Sequence, residues 1–201
     1  MVVGFGVGAY HASPFPASWS LILDNQAVIS AVQHWVETLV VGLNLCPFAQ
    51  RELLANRVRF SVSEATEELQ LLADLEAELT LLVADAAIET SLLIHPQVLT
   101  DFYDYNQFLD TVDHLLLEMG LEGVFQVASF HPDYQFAGTA ADDVENYTNR
   151  APYPVLHLLR ERSVEQAIAH YPDAELVPDK NIELLRNLGV EQILALLKPK
   201  N

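Results

Sequence analysis

The chain has a single cysteine, Cys46, in 201 residues. One thiol excludes an internal disulfide bond and a zinc site built mainly from cysteines. It also suits a reducing compartment, so we expect a cytosolic protein.

Basic side chains are scarce: 10 Lys and Arg stand against 28 Asp and Glu, which gives a formal net charge of -18. Such a charge repels phosphate backbones and anionic lipids, so we expect neither nucleic acid nor a membrane as partner. Positively charged partners, metal ions and small molecules fit better. The simplest alternative is that the acidity only keeps the protein soluble.

Targeting signals and familiar active-site motifs are also missing. No Lys or Arg precedes Arg51, although a secretory signal needs a basic start. No run reaches the ~20 apolar residues of a membrane helix. Walker, dinucleotide-binding, nucleophile-elbow and zinc-protease motifs do not occur. We expect a weakly ordered extension over residues 1–22 and a single globular domain over residues 23–201.

The apolar pattern alternates between strand-like and helical segments. Strands are predicted over residues 58–63, 90–96 and 124–130, and helices over 26–45, 64–86, 102–119, near Ser163 and from Pro178 to Leu197. This order predicts an α/β (or α+β) fold: a small three-stranded or larger mixed sheet with a βαβαβ-like core, packed by helices and followed by C-terminal helices.

The second predicted helix is strongly acidic. Ser61 and Glu64 match a capping box at its start. Its acidic residues predict a solvated face.

A long polar segment follows the third predicted strand. A compact domain rarely keeps such a loop without using it, and sites concentrate where a rigid scaffold ends. We therefore predict a functional site formed by residues 131–157.

His131 and Asp133 begin this segment on either side of a proline. In extended chain, residues two apart face the same side, so the pair is predicted to share a proton or a divalent metal. Further metal ligands are suggested by residue type alone: Asp142, Asp143, His157 and Cys46. The alternative is structural, with His131 capping the strand and Asp133 bonding a turn. His95 also precedes a proline at a strand end, which predicts a rim shared with His131.

Arg150, Asn146 and Asn149 are the predicted ligand clamp, because a guanidinium beside amides holds a carboxylate or phosphate well. An internal Asp143–Arg150 tie is the alternative. Tyr134 and His157 complete the predicted ligand-binding set.

Cys46 is the one available thiol nucleophile and needs a base such as His131 or His157 nearby. A buried packing role is the alternative.

Three blocks carry a family resemblance: GLNLCPFA (42–49), the stretch 92–110 that begins LLIHPQV, and the stretch 122–161 that contains SFHPDYQFAG. Over roughly residues 27–190 the chain resembles the bacterial domain-of-unknown-function family 1415. The resemblance implies a bacterial cytosolic protein and supplies no activity or cofactor. Serine is common in that family where this chain has Ala151, so a hydroxyl there is not expected to be essential.

Three functions follow from these patterns. The first is an enzyme acting on a small polar or anionic molecule at the 131–157 loop, with His131, Asp133 and Cys46 as catalytic residues. The second is a regulatory module that binds a metabolite, metal or protein through the same loop. The third is an internally bonded structural plug without a ligand.

Overall fold

Four strands form one mixed sheet in the computed structural model, which describes residues 24–198. The expected extension over residues 1–22 lies outside the described residues. The strands are Val58–Val62 (β1), Thr90–Ile94 (β2), Phe125–Phe130 (β3) and Val155–Arg160 (β4), in the order β1-β2-β4-β3. β1 and β2 are parallel, whereas β4 runs antiparallel to both of its neighbours. The predicted α/β fold with a mixed sheet is confirmed.

β4 is the strand that the sequence patterns did not predict. Val155, Leu156 and Leu158 have no exposed surface, because both faces of this strand are covered. A strand buried on both faces lacks the alternation of a half-exposed strand, and His157 interrupts its apolar run. β4 separates β2 from β3, so the predicted βαβαβ core keeps its strand directions while β2 and β3 are not neighbours.

Helices cover both faces of the sheet. On one face Leu71, Phe108 and Leu158 share a core, and on the other Val32, Leu92 and Val155 share a second core. No helix among residues 24–198 combines the length and apolarity needed to cross a bilayer. The helices are Asn25–Trp35 (α1), which continues into a π-helical turn over Val36–Val41, then Ala49–Leu54 (α2), Glu68–Ala84 (α3), Phe102–Glu118 (α4), Glu161–His170 (α5), Val177–Leu188 (α6) and Val190–Leu196 (α7).

The predicted capping box of α3 is wrong. The helix begins at Glu68, after an extended Glu67. Ser63 instead accepts the backbone N–H of Ala65 and donates its hydroxyl to Asp74. Ser63 thus fixes the turn that leads from β1 into the helix.

The predicted solvated acidic face of α3 is wrong at Glu78, which is only 7% exposed. Its carboxylate accepts two hydrogen bonds from the Arg59 Nε and one from Nη2, at 3.0–3.2 Å. The Ser91 hydroxyl donates a further bond at 2.8 Å. Burial raises the pKa of Glu78, but the bonds from Arg59 and Ser91 outweigh it and leave the pKa below its usual value. This carboxylate joins α3 to β1 and β2.

We expect Glu78→Ala to lower the free energy of unfolding by about 2–4 kcal/mol, because it leaves Arg59 and the buried Ser91 hydroxyl without their acceptor. Urea denaturation measures the loss. Glu76→Ala on the exposed side of the same helix is the matched control and should change stability by less than about 0.5 kcal/mol. Equal effects of the two substitutions would contradict the assigned role.

Candidate functional site

His131 lies at the end of β3 with no exposed surface. Its Nδ1 accepts the backbone N–H of Asp133 at 3.0 Å, so Nε2 carries the hydrogen and donates it to the Leu99 carbonyl at 3.3 Å. Burial lowers the pKa of His131 to about 4. The ring is therefore neutral near pH 7, and both of its nitrogens are already bonded.

The rim predicted from the two His-Pro pairs is present. The Tyr105 ring lies between them, with its centroid 5.7 Å from that of His95 and 5.2 Å from that of His131. His95 is fully buried, donates from Nδ1 to the Val98 carbonyl at 3.0 Å, and has its pKa lowered to about 4 by burial. No group of three or more His, Cys, Asp or Glu side chains suited to a metal ion occurs within residues 24–198.

The predicted ligand clamp is brought together, but its side chains bond to backbone. Arg150, 7% exposed, donates to the carbonyls of Tyr134 and Ala141 and lies 4.8 Å from the Tyr147 ring centre. Asn149 donates to the Ser129 carbonyl at 3.1 Å. Arg150 thus anchors the loop through carbonyls and not through the Asp143 tie that the sequence suggested.

Asn146 is buried and ties the loop to itself. Its carbonyl oxygen accepts the Phe136 N–H at 3.0 Å and the Thr139 hydroxyl at 2.9 Å, and its amide donates to the Ala140 carbonyl. The loop therefore holds its shape by its own bonds.

Of the other two predicted residues that follow His131, Tyr134 is half-buried and Asp133 is exposed. Tyr134 packs against Phe102 and Phe136, with ring centroids 5.1 and 4.9 Å away. Burial raises the pKa of Asp133, and Arg150 opposes that shift.

A cavity of about 910 Å³ lies on the face of the sheet that α1 covers. All four strands contribute to its floor, with Val58 from β1, Thr90 and Leu92 from β2, Phe130 from β3 and His157 from β4. Helices α1 and α5, the π-helical turn and the segment beginning at Cys46 form its walls. Two of the predicted site residues, Cys46 and His157, line this cavity.

The π-helical turn places Cys46 at the cavity wall. The Gly42 N–H bonds back five residues to the Glu37 carbonyl, and Leu45 bonds to the Val40 carbonyl. A side chain at Gly42 would put its Cβ 2.3 Å from the Thr38 carbonyl oxygen, so only glycine fits. π-Helical turns occur frequently at functional sites.

The His157 side chain lines the cavity, and its ring is neutral near pH 7. The Thr90 hydroxyl gives its hydrogen to the Leu158 carbonyl, so it accepts from His157 Nε2 at 2.8 Å. This bond assigns Nδ1 as the unprotonated nitrogen. Burial lowers the pKa of His157 to about 4.

A charged group that the sequence patterns did not identify also lines the cavity. Arg57 pairs with Glu89 and lies 3.2 Å from a Glu52 carboxylate oxygen. Arg57 and Glu89 immediately precede the parallel strands β1 and β2, whose first residues, Val58 and Thr90, are in register. That adjacency was a usable signal, because neighbouring parallel strands begin at the same edge.

Helix α5 borders the cavity without a buried residue of its own. Ser163, Val164 and Ala167 line the cavity. Tyr171, just beyond the helix, meets Phe48 edge-to-face at 5.6 Å between ring centroids. The side of α5 that borders the cavity thus carries both apolar and polar side chains.

The DUF1415 family model, described as a protein of unknown function, matches residues 27–195. Comparisons with curated proteins and with solved structures give no match. The matched range contains the 131–157 loop and all the residues named above as lining the cavity.

We expect the free energy of unfolding to fall as the pH drops through the range from about 6.5 to about 4. The pKa of His131 is about 4 in the folded protein and ~6.5 when unfolded, so the unfolded chain takes up the proton first. The contribution of the neutral His131 ring to the free energy of unfolding is complete above about pH 6.5. Below that pH it falls by ~1.4 kcal/mol per pH unit, and the same holds for each histidine with a similarly lowered pKa.

Urea denaturation across this pH range, comparing His131→Gln with the native chain, measures the contribution. His131→Gln should show a shallower pH dependence, whereas His114→Gln, at a site whose side chain is 67% exposed, should not. An unchanged slope in His131→Gln would show that this ring is not the neutral group described.

Proposed function

Because the chain belongs to the DUF1415 family, whose description names no activity, we propose a function on the basis of its cavity. The chain binds a small organic molecule in the cavity lined by Trp35, Cys46 and His157. The observation that supports this proposal is the cavity itself. Its volume of about 910 Å³ falls in the range typical of small-molecule sites, ~300–1,000 Å³. Apolar and aromatic side chains form more than half of its lining, and charged and polar side chains form the rest.

In this proposal the loop that begins at His131 has a structural role and does not bind the ligand. The inward bonds of Asn146 and Arg150 use the groups that a ligand clamp at the loop surface would need. Those bonds favour the cavity over the two loop-based functions, the enzyme acting on a polar or anionic molecule and the regulatory module. We also propose a bacterial, cytosolic protein without a nucleic-acid partner, on the grounds of the family resemblance, the lone Cys46 and the acidic charge.

The second candidate is an enzyme that uses Cys46 as nucleophile. The specific observation in its favour is that Cys46 and His157 line the same cavity. A neutral imidazole has a lone pair with which to accept the thiol proton. The substrate would occupy the same space as the proposed ligand.

We expect the chain to bind the neutral dye Nile red with enhanced fluorescence, because the cavity offers it an apolar environment. Ala167→Trp fills space beneath α5 and should weaken dye binding by at least about tenfold, measured by fluorescence titration. Ala73→Trp, on the exposed side of α3, is the matched control and should bind as the native chain does. Equal binding by all three proteins would contradict the proposed site.

For the enzyme candidate, we expect Cys46 to react with iodoacetamide at pH 7 at least about tenfold faster in the native chain than in His157→Gln, since general-base assistance is worth about that much or more. Mass spectrometry of the alkylated chain over time gives both rates. His170→Gln, which changes another histidine of the cavity wall, tests whether the effect is specific to His157. Equal rates in all three proteins would eliminate the activated thiol and leave binding alone.

A further inference from the structure

His157 is a polar side chain surrounded by apolar ones on the cavity floor. In the sheet it lies opposite Leu92 of β2 and Ala128 of β3, and both of these residues line the cavity. Leu159, two residues further along β4, lines it as well. In small-molecule sites, a polar group set in apolar surroundings fixes the orientation of the ligand.

The His157 ring carries one unprotonated nitrogen. The Thr90 hydroxyl donates to the Leu158 carbonyl and accepts the hydrogen of His157 Nε2. A neutral imidazole has a single N–H, so Nδ1 has a free lone pair and can only accept a hydrogen bond. The Thr90 hydroxyl has already given its one hydrogen to Leu158.

The Nδ1 atom of His157 is accessible from the cavity. Within residues 24–198 it has no hydrogen-bond partner. Four buried side-chain polar atoms in that range also lack a partner, and His157 Nδ1 is not one of them, so it keeps accessible surface. Because His157 lines the cavity, this surface faces the space that the proposed ligand would occupy.

The charged side chains of the lining already have partners. Arg57 pairs with Glu89 and lies 3.2 Å from a Glu52 oxygen, and Arg51 lies 3.5 Å from the other Glu52 oxygen. The Arg160 guanidinium donates to three backbone carbonyls. An ionic ligand would compete with these contacts, so the lining favours an uncharged molecule.

We infer that the bound molecule is an uncharged, largely apolar compound that donates the hydrogen of a hydroxyl or N–H group to His157 Nδ1. The inference rests on the proposed binding function and adds the class of ligand to it. The apolar body of the molecule covers Leu92 and Ala128, and its donor supplies the partner that Nδ1 lacks. A ligand without a donor would bury Nδ1 unpaired, which weakens binding.

Two probes with the same ring system test the inference at pH 7. 2-Naphthol carries a hydroxyl donor, whereas 2-methoxynaphthalene keeps the rings and the oxygen acceptor and has no donor. Both are uncharged, and the cavity of about 910 Å³ has room for either. In displacement of Nile red from the full chain, 2-naphthol should bind at least about fivefold more tightly, because only it supplies a hydrogen to Nδ1.

His157→Phe keeps an aromatic ring on the floor and removes the acceptor. The preference for 2-naphthol should then fall below about twofold. His114→Phe makes the same substitution at a side chain that is 67% exposed and should preserve the preference. Circular dichroism verifies that both variants are folded.

A second measurement uses the native chain and needs no substitution. In the chain labelled with ¹⁵N-histidine, 2-naphthol should shift the Nδ1 resonance of His157, assigned through contacts of the ring with Leu92 and Ala128. 2-Methoxynaphthalene should shift it less, because it brings no hydrogen to that nitrogen.

Equal affinity of the two probes, tighter binding of 2-methoxynaphthalene or an undiminished preference in His157→Phe overturns the inference. An Nδ1 resonance that 2-naphthol leaves unmoved overturns it as well. If Nile red binds and neither probe displaces it, the ligand class is wrong and the binding site stands. If Nile red and both probes fail to bind, both proposals fail.

Discussion

The Tyr105 hydroxyl holds the sheet together where β3 and β4 diverge. It accepts the Phe130 N–H at 3.1 Å and donates to the Val155 carbonyl at 2.8 Å, and these two residues are the last aligned pair of the two strands. The same ring packs between His95 and His131. One side chain of α4 thus fixes where the long loop leaves the sheet and where it returns.

The position of β4 in the sheet determines which of its side chains reach the site. Because β4 lies between β2 and β3 with both faces covered, its side chains alternate between the two cores. Leu156 and Leu158 point to the core beneath α3 and α4, and His157 points to the cavity. A strand that looked like the end of a polar loop therefore supplies a polar group to the floor of the proposed binding site.

The sequence was informative where one physical signal dominated. Alternating or continuous apolar runs identified β1, β2 and β3, and helical spacing identified α4, which begins with an Asp101 cap as such helices do. Sequence patterns failed to predict the structure where contacts between residues remote in the chain determine it. β4 lacked alternation, and Glu78 looked like its solvated neighbours because its partner, Arg59, is remote in the chain.

The candidate site was predictable only in part for the same reason. Cys46 and His157 could be selected by residue type, but Trp35 has the helical spacing of an ordinary core residue, and only the fold places it at the cavity. The long connection between β3 and β4 has a separate consequence. Its ends meet at one strand pair, Phe130 and Val155, where a two-residue turn would also close the hairpin. The loop is therefore not needed to set the strand order, although its residues Tyr147 and Ala151 help to close the core on the cavity side of the sheet.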